Sequence, residues 1–349
     1  VWVNGGLSGG LRVKLRHSNR ENQKMISRKM TTGFIAAVAA VAFAGSAYAA
    51  DFPKGPIEFV IPFGAGGGAD IEGRLLAKEM SKVLGVPVTP VNKPGAGGAI
   101  TYTYVKNSKP NGQTIAWNST SVLTTTNMGN TGFDYNALDH VGRVEVQPLP
   151  FAIKASKPWK TLGDFIKACK AKPNTLKVAI ASIGSATHLG ALALMDAIDC
   201  KAIHLPKGIK GRNKSVLNGE ADAMIAPLTG AQRLTKAGKM RILAFPSAKR
   251  NSLFPNVPTA KELGYNAEID FFRGLSVAPG TPNAIKAKLA DAMMKGAKSK
   301  AFMGLAKKKG FTVSPMGHME FAKYLASEDK KVKVILKDAG LYKSKKPKK

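Results

Sequence analysis

The sequence predicts an α/β protein of two lobes, and three observations support this fold class. Strand and helix signals alternate from residue 51 onward, the predicted strands end in glycine-rich or hydroxyl-rich loops, and the composition changes near residues 145–160. The chain has 349 residues, of which 44% are hydrophobic, enough for a large core and about two domains. Because the carboxyl ends of strands in an open α/β sheet line one crevice, we expect these loops to line a cleft.

A glycine-rich loop at residues 62–70 is the most informative feature of the sequence. It follows a short apolar run at residues 57–61, which predicts a buried strand. It precedes residues 70–84, whose apolar positions have helical spacing. Glycines leave backbone N–H groups unshielded, and a helix N-terminus adds unpaired donors and the positive end of a dipole. The pattern therefore predicts an anion-binding loop.

Small polar loops follow three more of the predicted strands. Glycine-rich residues 92–99 follow a second short strand, and hydroxyl-rich residues 118–121 follow a third. Residues 182–188 follow a strand in the second half of the chain and precede a helix. These loops are uncharged and rich in donors, so they suit a ligand carboxylate held by dipoles and bridging waters. Such a ligand is readily released, because no buried salt bridge has to be broken.

The order of the elements predicts where the chain passes between the two lobes. Residues 146–153 predict a strand that leaves the first lobe, and residues 161–169 predict a helix with Thr161 as N-cap and Asp164 close to a capping box. Residues 274–279 predict a returning strand, and the chain is then expected to be helical to about Leu341. The expected organisation is a signal segment at 1–49, lobe 1 at 50–150, lobe 2 at 151–272, and at 273–349 the return to lobe 1 with C-terminal helices and a basic tail.

The N-terminal region predicts export. Arg28 and Lys29 precede an apolar run at residues 34–44, which is too short to span a bilayer, since spanning needs about 20 residues. An Ala-x-Ala site ending at Ala49 follows, as in a cleaved signal peptide. Residues 1–24 fit no part of that signal, and Met25 is a plausible true start. We expect a periplasmic protein cleaved near Ala49.

The formal net charge of +31 is unusually high. It is interpreted either as a solvated surface or as a field that steers anionic solutes. Lysines are spread along the chain without interleaved stacking aromatics, so we expect no nucleic-acid partner. The two cysteines, Cys169 and Cys200, either pair in an oxidising compartment or remain two small buried residues, because spacing alone does not distinguish these alternatives.

A nucleotide cofactor is the first alternative for the glycine loop. Gly64-x-Gly66-x-x-Ala69 fits a dinucleotide fingerprint. However, Asn92 occupies the end of the second strand, where a ribose-binding acid is expected, and the second glycine cluster is not needed by one pyrophosphate. No Gly-Lys-Ser/Thr is present. Four of the five histidines lie far apart without metal-ligand spacing: His140, His188, His204 and His318. We therefore expect neither a cofactor nor a metal.

An exported hydrolase is the second alternative, with Ser185 as nucleophile and His188 as base. No G-x-S-x-G surrounds Ser185. The preferred interpretation is that the serine-rich loop caps a helix and binds an oxyanion, while His188 orients the loop. Asp70 is expected to cap its own helix or to bond the facing loop, because an acid beside an anion is unfavourable unless N–H groups occupy its oxygens.

Taken together, these motifs resemble the substrate-binding proteins of tripartite tricarboxylate transporters, the Bug receptors, from about Ile57 to Gly340. The order and spacing of the motifs carry the resemblance: Pro62-Phe63, Gly66-Gly67 and Asp70; Asn92-Lys93-Pro94-Gly95-Ala96-Gly97-Gly98; Ser182, Gly184-Ser185 and His188-Leu189; Arg250, Pro255-Asn256-Val257-Pro258-Thr259, Glu262 and Gly264; Ala278-Pro279-Gly280-Thr281-Pro282. Two segments depart from the family pattern: His204-Leu205-Pro206-Lys207-Gly208, where the family has an aromatic, and Asn111-Gly112, where it often has Asp-Gly.

The resemblance implies a periplasmic binding protein-like type II fold, two α/β lobes with a central cleft that close on a ligand. It implies a monomeric receptor that hands a small organic carboxylate to the membrane subunits of a tripartite transporter, through transient contact. A sensor for a signalling partner is the alternative receptor role. The implied ligand-binding residues are Phe63, Ala65, Gly66, Gly67, Asp70, Ala96, Gly97, Gly98, Ser119, Ser121, Ser182, Ser185 and His188.

Overall fold

The computed structural model describes residues 52–269 and 271–343. The N-terminal export signal predicted above therefore lies outside the described residues. Within them, the strands are β1 (Ile57–Ile61), β2 (Val88–Asn92), β3 (Thr114–Ser119), β4 (Asp139–Gln147), β5 (Phe151–Lys154), β6 (Lys177–Ile180), β7 (Ile203–Pro206), β8 (Ala223–Ile225), β9 (Met240–Ala244), β10 (Phe271–Val277) and β11 (Thr312–Met316).

The α-helices of the described residues alternate with these strands. They are α1 (Gly68–Leu84), α2 (Ala99–Lys106), α3 (Ser121–Asn127), α4 (Leu162–Ala171), α5 (Ala186–Ala197), α6 (Gly208–Leu217), α7 (Leu228–Lys236), α8 (Asn283–Ala297), α9 (Lys300–Lys309) and α10 (His318–Asp338). The predicted capping box of α4 is confirmed, because Thr161 and Asp164 exchange side chain-to-backbone hydrogen bonds of 3.2 and 2.9 Å. The α/β fold class predicted from the alternation is likewise confirmed.

The strands form two separate sheets. The six-stranded sheet has the order β11-β4-β10-β3-β1-β2, with β1 parallel to both β2 and β3. The five-stranded sheet has the order β7-β6-β8-β5-β9, with β6 parallel to both β7 and β8. The parallel strands β1, β2, β3 and β6 each end at one of the predicted loops. The boundaries of the two lobes proposed from the sequence stay a prediction.

The single strand predicted at residues 146–153 is wrong. The structure divides this segment between β4, which ends at Gln147 in the six-stranded sheet, and β5, which begins at Phe151 in the other. Pro148 and Pro150 lie between them. Since proline has no N–H to donate to a ladder, the hydrophobic run changes sheet at this point.

The expectation of helix alone after Thr281 is also corrected. Edge strand β11 separates α9 from α10 and pairs antiparallel with β4. Its Pro315 is tolerated there because an edge strand has one unpaired side. Helix α10 packs against the outside of the six-stranded sheet. Its Phe321, Leu325 and Leu336 are fully buried, in one cluster with Phe272 of β10 and Leu189 of α5.

Cys169 and Cys200 form a disulfide that ties the end of α4 to the segment before β7. The structure thus decides between the alternatives that spacing left open. A disulfide of this kind stabilises a fold by about 2–4 kcal/mol, chiefly because it restricts the conformations of the unfolded chain. In the described part of the chain, no helix combines the length and apolarity needed to cross a membrane.

Candidate functional site

Two neighbouring cavities open between the loops at the strand ends. The outer cavity measures about 490 Å³ and is lined by segments 62–65, 94–98 and 207–211. The inner cavity measures about 150 Å³ and is lined by segment 66–69, by Ser185–Thr187 and by the first turns of α6 and α7. Phe63, Ala181, Ile209 and Lys210 line both cavities. Loops from both sheets therefore enclose one site.

The first glycine loop ends at an uncapped helix. Gly67 is the N-cap residue of α1, and no side chain of the described residues caps that terminus. The amides of Gly68 and Ala69 belong to the first turn, where no intrahelical acceptor exists. Both residues line the inner cavity. This terminus places two amides without intrahelical acceptors, and the positive end of the helix dipole, at the cavity wall. Anion binding by this loop stays a prediction.

Asp70 holds this loop in place through hydrogen bonds. Its carboxylate accepts hydrogen bonds from the Gly66 N–H at 3.0 Å, from Arg74 Nε at 2.8 Å and from Asn92 Nδ2 at 3.0 Å. Burial raises the pKa of Asp70, but the bonds from Gly66, Asn92 and Arg74 outweigh it and hold the pKa below the ordinary value. Asp70 lines neither cavity. Its oxygens are occupied, so it positions both glycine loops.

The second glycine loop has an unusual backbone. Gly95, Ala96, Gly97 and Gly98 have φ values of 143, 44, 71 and 112°, a run that requires glycine at most positions. Thr125 Oγ1 donates to the Ala96 carbonyl at 3.0 Å and holds the turn. A Cβ added to Gly97 would lie 2.8 Å from the carbonyl carbon of Gly184. The two lobes therefore touch backbone to backbone at the cleft.

The serine loop after β6 caps helix α5. Ser185 Oγ donates to the Ser182 carbonyl at 2.7 Å and accepts from the His188 N–H at 3.3 Å. His188 Nδ1 accepts from the Gly184 N–H at 3.3 Å, so the ring orients the loop as predicted from the sequence. Burial, followed by the neighbouring His204, lowers the pKa of His188 to about 4. Ser185 Oγ thus donates to a backbone carbonyl, and no hydrogen bond between described residues joins it to the His188 ring.

The predicted site residues fall into two groups. Those that line one or both cavities are Phe63, Ala65, Gly66, Gly67, Ala96, Gly97, Gly98, Ser182 and Ser185. The other four line neither cavity: Asp70, Ser119, Ser121 and His188. Ser119 and Ser121 are fully buried with their hydroxyls 2.9 Å apart, and Tyr102 Oη lies 2.6 Å from Ser121 Oγ. A role in ligand binding stays a prediction for the residues of both groups.

Sequence reasoning missed two arginines that line the inner cavity. Arg273 of β10 is buried and forms ion pairs with Glu72 at 2.5 Å and Glu145 at 3.6 Å. Burial, followed by the charge of Glu72, raises the pKa of Glu145 well above its ordinary value. Because this shift favours the neutral form of Glu145, the charge that compensates Arg273 is that of Glu72. Because charged residues are exposed by default, no signal in the sequence marked Arg273 for burial.

Arg212 of α6 is the second missed arginine, and it is only 3% exposed. Its Nε is buried without an acceptor, and its guanidinium has no hydrogen bond or ion pair with any described residue. Its neighbour Asn213 has a buried Oδ1 without a partner among the described residues. The available signal was position, since Arg212 lies about one helical turn after Gly208, where α6 begins behind β7.

The electrostatics of the inner cavity favour an anion. The N-terminal turns of α1, α5, α6 and α7 all contribute to its lining. Each such turn presents the positive end of a dipole, worth roughly half a unit charge. The guanidinium of Arg212 adds to this field, whereas that of Arg273 is compensated by Glu72. Groups of His, Cys, Asp and Glu able to hold a metal ion are absent from the described residues, whereas an acidic organic ligand fits the donors.

Two α/β lobes, each built on its own β-sheet, with a cleft between the strand ends, define the periplasmic binding protein fold. The sequence matches the family described as "Tripartite tricarboxylate transporter family receptor" over residues 73–341. The chain therefore belongs to this family of binding proteins, as the motif order indicated.

Relatives and solved structures agree with this assignment. The "UPF0065 protein in gbd 5'region" of Cupriavidus necator is 31% identical, covering 93% of this chain and 99% of the relative. The periplasmic binding protein BugD superposes with a TM-score of 0.79 at 27% identity. The match covers 84% of this chain and 100% of BugD. MatC from Rhodopseudomonas palustris with bound malate has a TM-score of 0.75 at 24% identity, covering 82% and 100%, which shows a shared fold.

Proposed function

We propose that this protein is an exported receptor that captures a small carboxylate in the periplasm and delivers it to the membrane subunits of a tripartite tricarboxylate-type transporter. The observation that carries the proposal is the convergence of the uncapped α1 terminus with three further helix N-termini on a small cavity. Membership of the receptor family supports the transport role. The signal predicted at residues 34–49, with cleavage near Ala49, supports export.

The donor set explains why a carboxylate is the proposed ligand. A carboxylate has two acceptor oxygens and a full negative charge, which the amides of Gly68 and Ala69 and the dipole of α1 stabilise together. The aromatic ring of Phe63 and the side chain of Ile209 line both cavities and shield these donors from water. Charge-assisted bonds strengthen when water is excluded, so capture is coupled to closure.

Closure depends on contacts between loops of the two lobes. Ile209 lies against Gly67, and Gly184 lies against Gly97. Neither contact is a salt bridge, so no ion pair has to be broken at these two contacts when the lobes separate. A ligand held by such a closed cleft is released once a transporter favours the open form. Binding without turnover is consistent with Ser185, whose hydroxyl serves α5 as a cap.

Calorimetry on the purified mature protein tests the proposal. The probes are acetate, succinate, malate, adipate and citrate, with succinamide as the neutral control. We expect at least one acid to bind and to raise the melting temperature in proportion to its concentration over Kd. NMR of the recovered acid should show it unchanged. Failure of every acid, or its chemical conversion, would contradict the proposal.

Delivery needs a separate measurement. Membrane vesicles that carry the transporter subunits should accumulate the labelled acid only when the loaded receptor is added. Equal uptake with free acid alone would contradict the transport role while leaving the binding role intact.

A further inference from the structure

Arg212 carries a buried positive charge that no described residue compensates. Its side chain lines the inner cavity and is 3% exposed. Burial lowers the pKa of Arg212 to about 10, so the guanidinium remains protonated at neutral pH. A buried charge is costly unless it is paired. An arginine in this position therefore needs an anionic partner from outside the described chain.

Arg273 provides an internal comparison, because it lines the same cavity and is equally buried. Glu72 lies 2.5 Å from Arg273 Nε, and Gln147 Nε2 links Glu72 and Glu145 through bonds of 3.2 and 3.0 Å. This arginine is part of a compensated network that joins α1, β4 and β10. The chain thus neutralises one of the two guanidiniums of the cavity and leaves the other available.

Two separate parts of the inner cavity wall carry groups that suit an acidic group of a ligand. The α1 amides belong to the lobe of the six-stranded sheet, whereas Arg212 lies on α6, which follows β7 of the five-stranded sheet. A volume of about 150 Å³ accommodates a small organic molecule, since a cavity of that size binds benzene in another protein. A compact molecule with an acid group at each end therefore fits this volume.

We propose that Arg212 is the counter-ion of a second acidic group on the ligand, so that this receptor selects compact dianions over monoacids. The proposal rests on the proposed carboxylate-binding function and deepens it. The planar guanidinium presents parallel N–H groups that match a carboxylate bidentately. A dianion then bridges the lobes, with one acid group at the α1 amides and the other at Arg212, which couples closure to the second charge.

The test compares diacids with their half-amides by calorimetry. Malonate, succinate, glutarate and adipate are each titrated beside the monoamide of the same length, such as succinamate, which keeps the shape and removes one charge. We expect the wild-type protein to bind the best diacid about 100-fold more tightly than its half-amide. This ligand comparison requires no variant, so it stays decisive whatever a substitution does to folding.

Arg212→Gln removes the charge while keeping a polar side chain of similar reach. We expect the variant to lose most of the preference, with the diacid and its half-amide within about fivefold of each other. Its melting temperature without ligand should equal or exceed that of the wild type, because an uncompensated buried charge is removed. Lys214→Gln is the matched control. It removes a charge from the exposed face of the same helix and should keep the full preference.

The outcomes separate this inference from the proposed function. Equal wild-type affinity for diacids and half-amides, or an undiminished preference in Arg212→Gln, overturns the role of Arg212 while carboxylate binding stands. Absence of binding by every mono- and diacid overturns the proposed function, and the inference with it. A loss of stability in ligand-free Arg212→Gln contradicts the absence of a counter-ion within the chain.

Discussion

Ile209 of α6 packs directly on Gly67, the N-cap residue of α1. A Cβ added to Gly67 would lie 2.8 Å from Ile209 Cδ1 and 2.9 Å from Ile209 Cγ2. Because both branches of the isoleucine are this close, one side-chain rotation does not make room. The contact joins segments that follow strands of different sheets, so opening of the cleft would separate the two residues.

Gly67→Ala should therefore weaken carboxylate binding by about 5- to 100-fold, as expected for overpacking at a tight contact. Gly67 has φ −85°, so alanine is not strained there, and the ligand-free melting temperature should change little. Gly317→Ala is the matched control, since Gly317 is likewise an N-cap residue, that of α10, with φ −74°, and its Cβ would meet nothing within 4 Å. Calorimetry of Gly67→Ala combined with Ile209→Ala should show partial recovery. Wild-type affinity in Gly67→Ala would disprove the contact.

Gly97→Val should abolish binding, for a reason that the sequence alone did not reveal. In the structure a Cβ would meet Gly184, and φ is +71°. We therefore expect lost binding by calorimetry and a stability loss of about 1–2 kcal/mol by urea unfolding.

Gly238→Val is the matched control for this strain. Gly238 has φ +67°, and its Cβ would meet nothing within 4 Å. It should lose similar stability while retaining affinity. If Gly97→Val bound normally, the contact between Gly97 and Gly184 would not form part of the closed state.

Asp70→Asn should lower both stability and affinity. The carboxylate accepts bonds from Gly66, Arg74 and Asn92, and an amide in its place turns one acceptor into a donor. Urea unfolding should show a loss of about 1–3 kcal/mol, and calorimetry a weaker Kd, because both glycine loops lose their common anchor. Asp164→Asn disturbs the capping box of α4, so it should lower stability alone. Equal effects of both variants on Kd would contradict the positioning role.

Acid should destabilise the protein partly through His188. The pKa of His188 is about 4 when folded, below the unfolded value of about 6.5. As the pH falls from 6.5 to 4, the unfolded chain takes up a proton that the folded chain does not, and stability is lost. The maximum loss is about 3 kcal/mol.

The measurement is urea unfolding of the wild type and His188→Asn at several values between pH 4 and 7. Asparagine keeps an acceptor for the Gly184 N–H and does not titrate. The difference between the two stabilities should shrink as the pH falls. Parallel curves for the two proteins would show that His188 is not buried in its neutral form.

Local patterns were sufficient for most of the fold. Strand β1, helix α1 and the capping box at Thr161 follow from hydrophobic period and cap chemistry, which act over a few residues. The change of sheet between Gln147 and Phe151 was missed. The hydrophobic pattern is the same whether such a run forms one strand or is divided between strands of two sheets. Strand β11 was missed for a related reason, since an edge strand has a weak burial pattern.

The amino-acid order by itself determined the α/β class, the donor-rich loops and the family, since these depend on residue type and spacing along the chain. Only the tertiary structure decided that Arg212 and Arg273 share a cavity with the α1 amides, that Glu72 compensates one of them, and that Cys169 bonds Cys200. The physical reason is that compensation of a charge depends on distance in space. Arg273 and Glu72 are 201 positions apart in sequence, and no local pattern relates them.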